Sequence, residues 1–163
     1  MLKQLNATKK GVITGLVMVG LSLMVYYSKL PFESPVQYII YIAFAAGIVW
    51  TLVTYSRSGV HENKFGRFFL EGFRCFVVVT LIMVLFTYIF NRMHPEFKEQ
   101  MAAAYKTEML SKGNSTPAEI NTNMEKAKDF YNVMLVSTAI FGYLIIGAVV
   151  TASVSLLVRK RNI

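Results

Sequence analysis

The chain has 163 residues, of which 55% are hydrophobic, and its mean hydropathy of +0.47 lies well above that of a soluble domain. Its 17 basic and 9 acidic residues leave a net charge of +8, yet the cations stand at the ends of long apolar blocks and not on one polar face. That arrangement excludes a nucleic-acid binder and points to a membrane protein, while the single cysteine, Cys75, excludes an intramolecular disulfide framework.

In chain order, the first apolar block runs from Gly11 to about Tyr27, after Lys3, Lys9 and Lys10 and before the helix-breaking Pro31 and Pro35. A basic start and a short apolar run also suit a secretory signal peptide. The following "YYSKLPFESP" offers no small-x-small cleavage site, however, so an uncleaved first span is expected. Three further spans are expected at about 36–56, 68–91 and 133–158, each near the roughly 20 apolar residues that cross a bilayer. The fold class is therefore all-α: one membrane domain of four transmembrane helices.

Before the third span stands "KFGRFFLEGFRCF", residues 64–76, where Arg67, Glu71 and Arg74 interrupt an aromatic run. Helical spacing puts the three on one face as an ion ladder. Their position within a turn of the expected membrane surface favours an interfacial stirrup, with cations near headgroups, over a buried proton or ion site. The third span itself carries Phe76, Leu81, Leu85, Phe86, Tyr88 and Phe90 and almost nothing small. It is expected to face lipid or another protein.

Residues 92–132 form an insert. Pro95 suits a first helical turn, and Phe97, Met101, Tyr105 and Met109 follow as an apolar stripe available to a partner. Gly113 stands where a C-cap belongs, and "TPAE" then reads as a capping box of Thr116 and Glu119. Ile120, Met124, Ala127 and Tyr131 repeat the stripe. A helical hairpin outside the cytoplasm follows, since placing the N-terminus inside collects ten basic residues and two acids on that side, against seven of each on the other. Both termini are then cytoplasmic. On the inner rim, Arg57, Lys64, Arg159, Lys160 and Arg161 are candidates for contact with phospholipid or a partner.

Small residues recur at packing intervals: Gly11 and Gly15, Ala43 and Gly47, and Ala148, Ala152 and Ser155. Close approach in lipid favours such faces, so these three are expected to meet. His61 and His94 flank opposite ends of the third block and cannot share a metal. No nucleophile elbow, P-loop or metal motif is present, so neither an enzymatic activity nor a cofactor is expected.

Phe65-Gly66, Phe69, Gly72 and Phe73 before a span resemble the Phe-Gly-x-x-Phe-x-x-Gly-Phe signature of the domain of unknown function numbered 4199, small inner-membrane proteins of Bacteroidota. The likeness extends to four spans, a charged insert closing on Phe130-Tyr131 and a basic "RKRN" end. It departs where Arg67 follows the Phe-Gly. The resemblance implies residence in the bacterial inner membrane and an accessory role beside glycosyltransferases that use polyprenyl phosphate. It supplies no activity of its own.

The leading functional expectation is a non-catalytic inner-membrane subunit or scaffold, in contact with membrane lipids and other membrane subunits and compatible with a homo-oligomer. The alternatives are a lipid-handling accessory of a polyprenyl-phosphate enzyme and a small oligomeric transporter or channel lined by hydroxyls such as Thr14, Ser22, Thr51 and Thr138.

Overall fold

The computed structural model describes residues 5–28, 38–58, 64–113 and 116–161, with 159–161 described by backbone alone. Five α-helices and no strand occur among the described residues: α1 (Ala7–Tyr27), α2 (Tyr38–Ser56), α3 (Phe65–Met93), α4 (Glu96–Lys112) and α5 (Pro117–Arg161). Four of them, α1, α2, α3 and α5, are long and apolar enough to cross a membrane, and the chain is a multi-pass membrane protein. Two boundaries differ from the sequence reading. α1 begins four residues before Gly11, so Lys9 and Lys10 are helical; α5 begins at Pro117 and runs 45 residues without a break, joining the insert's second arm to the fourth span. The linkers holding Pro31, Pro35 and His61 lie outside the described residues.

The helices distribute over two units, Met1–Val84 with Ile140–Ile163, and Leu85–Ala139. In the first, α3 is the hub. Phe68, Cys75 and Val79 are fully buried, with Phe76 and Met83 nearly so. The expectation that span three faces lipid or another protein is corrected for Phe76, while Leu81, Leu85 and Tyr88, 65%, 59% and 44% exposed, keep one flank of the helix open. The reason is complementarity of size. A Cβ added at Gly11 would stand 2.7 Å from the Cys75 carbonyl oxygen, and one at Gly15 would stand 2.8 Å from Ile82. On α5, one added at Gly147 would stand 2.7 Å from the Phe76 ring. Large α3 side chains fill the gaps that glycines leave on their neighbours, as dispersion-driven packing in lipid favours.

Small faces do not simply meet one another. Gly47 of α2 lies against Thr14 of α1, and Gly72 of α3 against Thr151 of α5. Ala43 is half-buried. On α5 the buried stripe is Gly147, Thr151 and Ser155, with Ala148 and Ala152 half-buried beside it. Aromatic contacts join α2 to its neighbours: Phe44 meets Tyr143 of α5 edge-on at 5.6 Å, and Tyr55 meets Phe68 of α3 at 5.5 Å.

The second unit is held by polar devices. Gly113 ends α4 in the left-handed region with φ 65°, a conformation that a residue without Cβ adopts at no steric cost. The Thr116 amide then donates to Glu119 Oε2 at 2.8 Å while the Glu119 amide points back at Thr116 Oγ1, 3.4 Å away, forming the expected capping box. Lys128 of α5 pairs with Glu99 of α4, and Tyr131 donates to Asn91 Oδ1 at 3.1 Å. Ala102, Ile120 and Tyr131 are buried, whereas Phe97, Met101, Tyr105 and Met109 are half-buried, so the α4 stripe is only partly open to a partner. On the exposed side the Lys112 ammonium holds the Glu108 carboxyl below its ordinary range, and Glu96 is held down by its own backbone N–H and by His94.

Candidate functional site

At one end of the first unit, the start of α1, the end of α2 and the start of α3 enclose a cavity of about 450 Å³. Its lining is polar at the end of an otherwise apolar bundle. α1 contributes Asn6, Thr8 and Lys10; α2 contributes Thr51, Thr54 and Ser58; α3 contributes Glu71 and Arg74.

Lys10 is the unusual member. The buried face of α1 is Ala7, Lys10, Gly11, Thr14, Gly15 and Met18, a helical 3-4 repeat in which a lysine occupies a core position. It is 4% exposed, with its ammonium 5.6 Å from the centre of the Trp50 ring. Among the described residues its side chain makes no ion pair and no hydrogen bond. Removing an ammonium from water costs several kcal/mol even after relaxation, of which a desolvated cation–π contact returns about 2.

Glu71 and Arg74, one turn apart on α3, form an ion pair at 2.9 Å; Glu71 keeps 20% of its side chain exposed and Arg74 keeps 54%. Arg67 is exposed at the start of the same helix. Of the predicted ladder, Glu71 and Arg74 line the cavity together, and Arg67 is not among its lining residues. Two cations and one carboxylate leave the lining with net positive charge.

The hydroxyls are largely spoken for. Thr51 Oγ1 donates to the Gly47 carbonyl at 2.9 Å and lies 3.3 Å from Cys75 Sγ, Thr54 donates to the Trp50 carbonyl, and Ser58 donates to the Tyr55 carbonyl at 2.7 Å. Deeper in the spans Ser22 and Thr80 do the same, to Met18 and Phe76. Each of these hydroxyls is bonded back to a carbonyl of the helix that holds it or, for Ser58, precedes it. On α5, Thr151 Oγ1 and Ser155 Oγ are buried without a hydrogen-bond partner among the described residues.

Of the other sequence-predicted contacts, Arg57 and Lys64 are exposed, and the side chains of Arg159, Lys160 and Arg161 lie outside the described residues. Sequence reasoning took Lys10 for a flanking charge. The signal that would have found it is register: it precedes Thr14 by four residues and Gly11 by one, on the face those residues bury.

Residues 9–160 match the family described as "Protein of unknown function (DUF4199)", and the chain belongs to it. No curated protein and no solved structure matches.

Proposed function

We propose that this DUF4199 member is a non-catalytic subunit or scaffold of a larger assembly in a bacterial inner membrane, with both termini on the cytoplasmic side. The charge asymmetry between the two ends of the spans supports that orientation. The observation that carries the subunit reading is the open flank of α5. Only 6% of its most apolar stretch is buried, against 28% in each of the other three spans. Phe141, Ile145, Val149 and Leu156 are each 56% exposed or more and recur at helical intervals, so one continuous apolar stripe is available to a neighbouring helix. The self-bonded hydroxyls favour this reading over an oligomeric conduit.

The test places a photo-crosslinking amino acid at Ile145, with Leu16 of α1, 61% exposed, as the lipid-facing control. Irradiation of native membranes is expected to join Ile145, and not Leu16, to one membrane protein of defined mass. Only lipid adducts at both positions would contradict the proposal. A product of twice the chain mass would make the partner a second copy.

A further inference from the structure

The cavity at the ends of α1, α2 and α3 holds a buried cation that makes no direct ion pair and no hydrogen bond among the described residues. Lys10 is buried to within 4% of full enclosure, lies 5.6 Å from the centre of the Trp50 ring, and makes no ion pair or hydrogen bond among the described residues; the Glu71 carboxylate of the same cavity attracts it only from beyond ion-pair distance. Glu71, the carboxylate of the same cavity, is already engaged by Arg74 at 2.9 Å.

A second feature, from backbone and not side chain, points the same way. α1 starts at the cavity with Asn6 making no side-chain cap and with no acidic residue in its first turn. Among the described residues, no side-chain cap or first-turn carboxylate therefore compensates the N–H groups of that turn and the positive end of the helix dipole, where Lys10 also lies. A lysine serving only as an anchor sends its ammonium outward, as a snorkelling side chain does. Exposed Lys9 fits that description; Lys10, one residue on, is turned onto the face of Gly11 and Thr14.

We infer that this cavity is an anion site that takes a phosphate group, with the Lys10 ammonium and the first-turn amides of α1 as inner donors and Arg74 at the rim. Phosphate suits the lining better than carboxylate, because its several acceptor oxygens can meet donors arriving from different helices at once. The cavity volume of about 450 Å³ leaves room for a headgroup around the phosphate. The phosphate arrives either on a lipid or free in solution. The inference stands apart from the α5 partner, since it uses no residue of that helix.

Trp50 is the single tryptophan of the chain, so its emission reports on Lys10 directly. The full chain, purified in a neutral detergent, is titrated with inorganic phosphate, with a short-chain phosphatidic acid, and with the matching phosphate-free diacylglycerol. A saturable change with phosphatidic acid and none with diacylglycerol is expected. Saturation by inorganic phosphate as well identifies the phosphate group alone as the ligand, and saturation by the lipid only identifies a headgroup. Lys10→Met should weaken binding about tenfold, the loss of one charge-assisted bond, while Lys10→Arg retains it and Lys9→Met leaves it unchanged. Thermal melting gives a second readout: at equal concentration phosphatidic acid should raise the Tm of wild type more than that of Lys10→Met, whose ligand-free form should be no less stable than wild type. No saturable change with either phosphate probe, or equal losses in Lys10→Met and Lys9→Met, would overturn the assignment.

Discussion

The bundle around α3 and the hairpin of α4 with the start of α5 are held together by opposite means. In the bundle the contacts are close and mostly apolar: glycines admit the Cys75 carbonyl, Ile82 and Phe76 to distances that a Cβ would forbid. In the hairpin buried side chains are few, and a left-handed glycine, a capping box and exposed ion pairs set the path. The difference follows from the solvent. Lipid offers spans no hydrophobic force to separate them from solvent, so surface fit decides which faces join. Where a helix end is exposed, satisfying its orphan groups is favoured, and exposure weakens each ion pair.

Substitutions should separate the two regions by size of effect. The largest belongs to Phe76→Ala, which empties the gap opposite Gly147 and should cost about 3–5 kcal/mol, read as a fall in unfolding midpoint in detergent. Gly11→Ala comes next. Its new methyl would meet a backbone carbonyl, which cannot rotate away, and a loss of about 1–3 kcal/mol is expected by the same assay. Thr116→Ala removes one half of the capping box, with a cost of about 1 kcal/mol, and hydrogen exchange should rise at the start of α5 while the bundle amides stay protected.

The smallest effect belongs to the Glu108–Lys112 pair. Glu108 is held below its ordinary 4.5, so its contribution is present above that value and is lost as pH falls through the lower folded value. Lys112 is raised above 10.5, so its contribution is present below that value and is lost as pH rises through the higher folded value. Lys112→Ala should therefore lower hairpin stability slightly and evenly between about pH 5 and 10, an effect that 0.5 M salt, roughly a 4 Å screening length, should erase. A difference that persists in salt would mean that the pair is shielded from water.

The four spans were legible in the sequence because apolar blocks of that length have few other homes. The helix end at Gly113 and the cap at Thr116 were legible because capping chemistry is local. Two features were not. The central place of α3 depends on which neighbours carry the gaps, a property of pairs of helices that no single span displays. On α5, Gly147, Thr151 and Ser155 compete with Ala148 and Ala152 as the small face, one residue or about 100° apart on a helix that is apolar all round, and Phe76 and Gly72 of another helix decide between them. Lys10 was hidden for a related reason: beside Lys9 it reads as a flank, and only the burial of Gly11 and Thr14 turns it inward.

The seating of α1 on α3 is most directly tested by a cysteine pair. Built on a Cys75→Ser background, Gly15→Cys with Ile82→Cys brings together Cβ positions 3.1 Å apart, near enough to bridge with a slight adjustment of the backbone. Gly20→Cys with Ile82→Cys is the comparison, since the α1 surface at Gly20 has nothing within 4 Å. Mild oxidation in native membranes should give an intramolecular disulfide in the first pair and none in the second. Equal bridging in the two pairs, or none in the first, would contradict a bundle organised around α3.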